Sequence, residues 1–282
     1  MNFSKSSSEI YVPDGTPVDV AVARTTHLTI AAHQDDIEIM ALRGVLECFG
    51  RDDRYFTGVT VTNGAGSPRD GIYARYTDEE MQKVRRVEQK KAAFVGEYSA
   101  HVFLDYTSGE VKDGKNPAVV GDLKKLVEAA RPQVIYTHNL ADKHDTHVAV
   151  TLRTIQALRE VAEEARPQHV YGCEVWRALD WLCDPDKILF DVHERENLGM
   201  ALLGVFDSQI CGGKRYDLAT AGRRRANATY LASHGVDETT AVNFGMDLTP
   251  LIENAKLDPT EYALGFIDRF KSEVTQRLAK LG

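Results

Sequence analysis

Two short segments of the chain are rich in residue types that bind metal ions and transfer protons. Residues 32–38 read AHQDDIE and residues 138–147 read HNLADKHDTH; together they hold four of the nine histidines and five acidic residues. Two histidines and one carboxylate are a common ligand set for catalytic zinc, with the fourth position left to water. The metal lowers the pKa of that water toward 7, and a carboxylate that is not a ligand can then act as base. The two segments therefore predict an open metal site that activates water.

The spacing within each segment allows neighbouring side chains to take different roles. Asp35 and Asp36 are adjacent at a strand-to-helix turn, so one can bind metal while the other faces the substrate. His144 and His147 are three residues apart at a predicted helix start, so both can face one side. Each segment alone has a simpler explanation, since Asp-Asp after a strand is often a helix N-cap and a His pair can lie on the surface by chance. Their occurrence at one sheet edge favours the metal site.

The elements that carry these segments alternate along the chain. Short apolar runs predict strands at 27–32, 55–62, 100–105 and 133–137, and helical spacing predicts helices at 37–49, 78–96, 120–130 and 146–165. Further strands are expected at 169–182 and 187–192, followed by a mostly helical chain with a loop near 235–250. This alternation is typical of a parallel sheet with helices on both faces. Both chemical segments follow strands, at the sheet edge where such folds bind ligands.

The two segments resemble the signature of the LmbE/PIG-L family of zinc-dependent N-deacetylases. In that family a strand is followed by A-H-P-D-D-x-E, and a later element reads D-x-H-x-D-H; the matching strings here are AHQDDIE at 32–38 and DKHDTH at 142–147. Three further family features have counterparts, at residues 62–64 (TNG), at Arg85 with Glu88, and at Ser208 with Gln209. The resemblance covers roughly residues 25–210 in order.

The resemblance implies a role for each matching residue. His33, Asp36 and His147 would bind one zinc ion per chain, for which Fe²⁺ or Co²⁺ could substitute with the same ligands. Asp35 would be the general base and later the acid, and His144 would stabilise the oxyanion. The expected substrate-binding residues are Arg85, Asn63 and His138, and those expected to support the ligands from behind are Asp142, Asp145 and Glu38.

Some positions depart from the family pattern. Gln34 replaces the usual proline, which would loosen the turn but leave the chemistry unchanged. Thr146 stands where the family often has Asp, so Asp142 or Asp145 is expected to orient His144. The histidine often found before the Ser-Gln pair is missing, which leaves the substrate contacts of that segment open.

Composition excludes several other classes of protein. The chain has 282 residues, 43% of them apolar, and 34 basic against 42 acidic residues give a net charge of −8. This acidity argues against a nucleic-acid partner. No run of 18 apolar residues predicts a membrane span, and the first 15 residues do not resemble a secretion signal. Four scattered cysteines without a CxxC motif favour a reduced, cytoplasmic protein.

These observations predict an α/β protein with a Rossmann-like, mostly parallel sheet flanked by helices and a helical C-terminal extension. Residues 1–25 would form an arm, residues 26–210 the deacetylase-like domain, and residues 211–282 a mainly helical extension packed on that domain. The expected reaction removes an N-acetyl group from a small amino-sugar substrate of the N-acetylglucosamine type by zinc-activated water. A homo-oligomer is left open.

Two other functions remain open from the sequence. One is a phosphoester hydrolase, which would favour a second metal and more bridging carboxylates. The other is a non-catalytic carbohydrate-binding protein on the same fold. Trp176 and Trp181 could stack on a sugar or pack in the core. The basic run 223–225 fits a solvated helix face, a subunit contact or a site for an anionic substrate.

Overall fold

A computed structural model describes all 282 residues and contains one eight-stranded sheet with helices on both faces. The strands are β1 Glu9–Tyr11, β2 His27–Ala31, β3 Phe56–Thr62, β4 Ala100–Tyr106, β5 Val134–His138, β6 His169–Cys173, β7 Ile188–Asp191 and β8 Val242–Asp247. The helices are α1 Val18–Ala23, α2 Asp36–Met40, α3 Leu42–Cys48, α4 Asp78–Val95, α5 Ser108–Lys112, α6 Pro117–Ala130, α7 Asp145–Glu160, α8 Glu196–Gly204, α9 Asp207–Ile210, α10 Tyr216–Thr229, α11 Thr249–Glu253 and α12 Pro259–Leu281.

The order of the strands creates a crevice at the centre of the sheet. The order is β1-β4-β3-β2-β5-β6-β8-β7, and the five strands from β4 to β6 pair in parallel. From β2 the chain adds β3 and β4 on one side, and then crosses to β5 and β6 on the other. The loops after β2 and β5 therefore diverge, and a reversal of this kind is where open α/β sheets bind ligands. The predicted α/β fold with a mostly parallel sheet is confirmed.

Alternating side chains of the central strands build the core on both faces of the sheet. Every residue of β2 and β3 is buried, as expected for strands covered by helices on both sides. Leu28 and Ile30 of β2 join one apolar cluster, whereas Ala31 joins the cluster on the opposite face. The sheet is thus a rigid support for the loops at its edge.

Several local predictions are wrong, and most of the errors involve pairing between distant parts of the chain. The arm at 1–25 includes β1, which pairs antiparallel with β4, and also α1. The predicted loop at 235–250 contains β8, which pairs antiparallel with both β6 and β7. Of the expected strand at 169–182, only His169–Cys173 is extended. The C-terminal region therefore contributes to the sheet itself.

Two of the predicted helices can be compared closely with the observed ones. The helix expected at 37–49 is divided at Ala41 into α2 and α3. The helix predicted at 78–96 begins at Asp78 as expected, and its N-cap Thr77 forms a reciprocal capping box with Glu80. None of the helices combines the length and the apolar character that crossing a membrane requires.

Candidate active site

The loops after β2 and β5 lie on either side of the central crevice, and side chains from both loops form the floor of a cavity. A cavity of about 550 Å³ opens there. Its lining includes His33, Asp35, Asp36 and His144 from these two loops. The two segments were predicted to lie at one edge of the sheet, and the structure places them there.

Three side chains point ligand atoms at one another in a nearly equilateral triangle. His33 Nδ1 lies 3.1 Å from His147 Nε2 and 3.2 Å from Asp36 Oδ2. His147 Nε2 lies 3.3 Å from Asp36 Oδ2. Ligands about 2.0–2.1 Å from a tetrahedral ion are themselves about 3.3 Å apart. The two imidazoles and one carboxylate therefore fit a divalent metal ion of the zinc type, with one coordination position facing the cavity.

Two other groups of donors also converge, but each is a poorer ligand set. One consists of Asp36, His138 and His147, and the other of His33, His144 and His147. His138 Nε2 accepts the Ala32 backbone N–H at 2.8 Å, which leaves that nitrogen unavailable to a metal. The group of His33, His144 and His147 contains no carboxylate to balance the charge of the ion. The triangle of His33, Asp36 and His147 is therefore the best ligand set.

Asp35 is held beside this triangle by an unusual backbone conformation and a buried arginine. Its φ of 86° is in the left-handed region, which a non-glycine residue adopts only at a cost. The Gln89 side chain accepts the Asp35 N–H at 3.2 Å, and Arg85 donates to Asp35 Oδ2 at 3.0 Å. Asp35 makes no side-chain capping bond to α2, so the helix-cap explanation for this residue does not apply.

The two adjacent aspartates have opposite shifts in acidity. Burial raises the pKa of Asp35 to about 7, although the Arg85 guanidinium opposes this shift. Burial also disfavours ionised Asp36, but the charges of His147, His138 and His33 outweigh it and hold the pKa of Asp36 well below its usual range. Asp36 thus stays anionic, as a metal ligand would have to be, while Asp35 can exchange a proton near neutral pH.

His144 has the features of a neutral hydrogen-bond donor. It is the N-cap residue of α7, and burial followed by the charge of His147 lowers its pKa to about 4. Its Nδ1 accepts the Thr146 N–H at 3.3 Å, so the neutral ring carries its proton on Nε2. That N–H is then available to a group in the cavity.

Asp142 connects the metal ligands to the neighbouring wall of the cavity. Its Oδ1 accepts the backbone N–H of His144 at 3.0 Å, and its Oδ2 accepts the backbone N–H of Trp176 at 3.1 Å. The same Oδ2 lies 3.5 Å from His147 Nδ1. A carboxylate behind a ligating imidazole fixes the ring and raises its basicity. Asp142 thus has the contacts expected of a residue that supports the ligands.

The structure separates the other predicted residues into those at the cavity and those away from it. Asn63 and Arg85 line the cavity. His138 is completely buried beneath it, stacked on His147 with ring centroids 3.8 Å apart, so the expected substrate contact of His138 is wrong. Asp145 is exposed in the first turn of α7. Its side chain forms no hydrogen bond or ion pair with the histidines, whereas that of Asp142 does, so the structure shows no contact behind the supporting role expected of Asp145.

Glu38 acts on the site only through an intermediate residue. Its Oε1 accepts bonds from Gln89 and from the Tyr98 hydroxyl, each at 2.8 Å. Gln89 in turn binds the Asp35 backbone. Burial raises the pKa of Glu38 to about 7. Glu38 therefore stabilises the turn that presents Asp35, and does not touch the ligands.

One wall of the cavity has almost no signal in the sequence. Lys143, Val175, Trp176 and Arg223 line the cavity on the side adjoining His144, and we call this group the Trp176 wall. The Trp176 and His144 ring centroids are 6.3 Å apart. Trp181, by contrast, packs against the apolar core. The basic run at 223–225 and the possible stacking of Trp176 on a sugar are the two sequence features that point to this wall.

Comparison with protein families identifies the region that carries both chemical segments. A family model described as PIG-L, GlcNAc-PI de-N-acetylase, matches residues 28–158. This range includes the metal-ligand triangle, Asp35, His144 and Arg85. Residues 28–158 therefore match the PIG-L family model, and the resemblance seen in the two segments is confirmed for this part of the chain. A comparison with curated proteins gives no match.

Solved structures with the same fold include deacetylases and a hydratase. N,N′-diacetylchitobiose deacetylase from Pyrococcus horikoshii aligns with a TM-score of 0.63 at 13% identity, covering 82% of this chain and 86% of that one. The zinc-inhibited form of a teicoplanin deacetylase gives 0.55 at 15%, covering 79% and 97%. The 4-carboxy-2-hydroxymuconate hydratase GalB from Pseudomonas putida gives 0.58 at 17%, covering 79% and 96%. At these identities the similarity establishes the fold, and the fold alone does not define the reaction.

Proposed function

We propose that this protein is a metal-dependent N-deacetylase that hydrolyses the acetamido group of an N-acetylglucosamine-type amino sugar. The observation that carries the proposal is the arrangement at the cavity floor. The triangle of His33, Asp36 and His147 lies beside Asp35 and His144, and all five residues are within the range that matches the PIG-L family. The names of the family and of two structural neighbours support the same reaction class.

The three ligand residues suit zinc, and also Fe²⁺ or Co²⁺. A divalent ion held there would lower the pKa of water and polarise the acetyl carbonyl. The protein's own contribution is to fix the positions of the ligands. The His33 N–H donates to Asp36 Oδ2 at 2.7 Å, and Asp142 faces His147 from behind. These contacts are made within the protein, so they orient the ligand side chains toward a common point.

Asp35 is the group placed to move the protons. Arg85 occupies its Oδ2, whereas its Oδ1 has no hydrogen-bond partner in the protein. Asp35 accepts a proton from the attacking water as the new C–O bond forms. It then returns that proton to the sugar nitrogen as the C–N bond breaks, releasing acetate and the amine. The Arg85 guanidinium holds the carboxyl in place during both transfers.

His144 stabilises the negative charge that develops on the carbonyl oxygen. His144 lines the cavity, and its Nε2–H is the free donor of the ring because Nδ1 is occupied by the Thr146 N–H. A fixed donor aimed at a developing oxyanion contributes much of the rate enhancement in acyl-transfer enzymes. Asn63 and Gln209 also line the cavity, and they offer amide groups to the sugar hydroxyls.

The two alternatives from the sequence receive less support. A phosphoester hydrolase with two metals needs further carboxylates, but Asp35 and Asp36 are the only acidic residues that line the cavity. Asp35 is already paired with Arg85. A module that only binds sugar has no need for a carboxylate fixed beside a metal-ligand triangle.

The proposal is tested by acetate release from a panel of N-acetylglucosamine derivatives, with metal content measured on the same preparation. We expect one metal per chain and acetate from at least one member. Asp35→Asn should retain the metal and lose turnover, which separates catalysis from ligand loss. One metal without acetate from any amide, or hydration of an unsaturated acid in its place, would refute the deacetylase proposal.

A further inference from the structure

Three basic side chains surround Trp176 at one side of the cavity. Lys143 Nζ lies 5.9 Å from the centre of the Trp176 ring, and Lys214 Nζ lies 5.1 Å from it. Arg223 Nη1 donates to the carbonyl oxygen of Val175, the preceding residue, at 2.5 Å. The aromatic face attracts the two ammonium groups, which holds them near the wall without using their N–H donors.

None of these positive charges forms an ion pair. The buried Glu174 carboxylate is near Arg223, but it accepts hydrogen bonds from Asn227 and from the Leu179 and Phe244 backbone. The only hydrogen bond from the side chains of Lys143, Lys214 and Arg223 goes to the Val175 carbonyl. Lys112 of α5 also lines the cavity and is likewise unpaired. The two lining carboxylates are not available to them, since Asp36 belongs to the metal-ligand triangle and Asp35 to Arg85. The mouth of the cavity is thus positive in a protein whose net charge is −8.

The three consecutive arginines of α10 show that this arrangement is specific. Arg224 is buried and donates to the carbonyls of Glu38 and Ile39. Arg225 is exposed and pairs with Glu196 at 3.1 Å. Arg223 alone lines the cavity. A helix turns about 100° per residue. Arg223 therefore faces the cavity, Arg224 the core and Arg225 the surface. A uniformly solvated basic face does not describe this run.

We propose that the substrate carries an anionic substituent, a phosphate or a carboxylate, next to its acetamido sugar, and that this group binds at the Trp176 wall. The inference rests on the proposed deacetylase function and specifies its substrate class. The Trp176 ring lies beside His144, the residue assigned to the acetyl oxygen. An anion attached at the sugar carbon next to the acetamido carbon can therefore reach Lys143 and Arg223.

The chemistry of the wall suits an anion attached to a sugar. Arginine binds phosphate and carboxylate through two parallel N–H donors, and lysine adds a mobile positive charge. The indole face of Trp176 offers an apolar surface for the sugar ring. Positive charge concentrated at a cleft also raises the local concentration of an anionic substrate, an effect that salt weakens.

The test compares three substrates that differ only at C1 of N-acetylglucosamine: the methyl glycoside, the carboxymethyl glycoside and the 1-phosphate. Acetate release is measured with the metal-loaded full chain at low and at high salt. We expect kcat/KM to be roughly 10- to 100-fold higher for the anionic substrates at low salt, mainly through KM, and the advantage to shrink as salt rises. Comparison of the two anions shows which one the wall prefers.

Variants of the wall separate charge from structure. Lys143→Gln and Arg223→Gln should each reduce the preference for the anion by about tenfold, whereas Arg223→Lys should restore part of it. Lys143 makes no hydrogen bond within the protein, so its substitution does not depend on the fold tolerating a lost contact. Lys280→Gln, at an exposed position of α12 away from the cavity, is the matched control and should leave the preference as it is.

The outcomes distinguish failure of this inference from failure of the proposed function. Equal kcat/KM for the three substrates would refute the anionic subsite but would leave the proposed deacetylase function standing. If none of the glycosides releases acetate, their binding is compared by titration calorimetry. Tighter binding of the 1-phosphate that is lost in Lys143→Gln would then support the subsite without the reaction, and equal or undetectable binding would refute it.

Discussion

The floor of the cavity and the Trp176 wall hold their charged groups in different ways. On the floor, Asp36 lies within 3.3 Å of two imidazoles, and Asp35 is bound by a buried arginine. On the wall, Lys143 has no polar partner, and Arg223 contacts only a backbone carbonyl. Paired charges keep a fixed geometry, which a metal and a proton transfer require. Unpaired charges are free to bind a partner from outside.

The largest loss of metal affinity and activity is expected from substitution of Asp36, the acidic residue of the metal-ligand triangle on the cavity floor. Asp36→Asn removes the negative charge that faces His33 and His147. We expect metal affinity and acetate release to fall by more than the roughly 10- to 100-fold that loss of a supporting residue costs. Metal analysis after dialysis and an acetate assay measure the two quantities. Full metal occupancy in the variant would mean that Asp36 is not a ligand.

The next largest effect separates proton transfer from metal binding on the same floor. Asp35→Asn retains the side-chain shape and its contact with Arg85, but cannot accept a proton. We expect kcat to fall by about 10²–10⁴, the usual contribution of general acid–base catalysis. Metal content should stay at one per chain. Unchanged kcat, or loss of the metal together with activity, would contradict the role assigned to Asp35.

A smaller loss of metal affinity is expected from substitution of Asp142, which contacts both His147 on the floor and the Trp176 backbone on the wall. Asp142→Asn weakens the support of His147 and the bond to the Trp176 backbone. We expect metal affinity to fall by roughly 10- to 100-fold and the fluorescence of Trp176 to change. A competition titration with a chelator measures the affinity.

Asp145→Asn is the matched control for the Asp142 variant. The two residues are three positions apart, but Asp145 is exposed, and its side chain forms no ion pair with His147 such as Asp142 forms. We expect its metal affinity to equal that of the unmodified protein. If both variants lose affinity equally, the effect belongs to the general charge of the loop, and the specific contact of Asp142 with His147 is not its cause.

The smallest effect concerns the wall alone. Trp176→Phe removes part of the aromatic surface beside the sugar, and we expect KM to rise by about two- to tenfold, in line with the value of one aromatic contact. The metal content and kcat should change much less. Trp181→Phe provides the comparison, because Trp181 packs against the core. A larger rise in KM for Trp181→Phe would place the sugar elsewhere.

The same contrast explains what the sequence could predict. The residues of the floor are close together in the chain and follow two strands directly, so the local sequence pattern is sufficient to locate them. Asp142 and Asp145 cannot be distinguished in that way. Both are next to the histidines in sequence, and only the path of the loop after β5 turns Asp142 toward His147.

The wall could not be predicted because its parts come from distant segments. Trp176 follows β6, whereas Arg223 lies 47 positions later on α10. Their meeting depends on β8, a short strand that was expected to be a loop and that extends the sheet beside β6. Pairing of this kind is decided by tertiary contacts and leaves a weak local signal. His138 is an error of the opposite kind. Its position next to the histidines in sequence suggested a substrate contact, but the fold buries it beneath the cavity.

The most direct test of the account is acetate release by one preparation before chelation, after chelation, and during stepwise return of Zn²⁺. The account predicts that activity disappears with the metal and recovers fully at one equivalent per chain, while Asp36→Asn does not recover. Activity that persists after complete metal removal would contradict the central claim that this cavity floor is a metal-dependent catalytic centre.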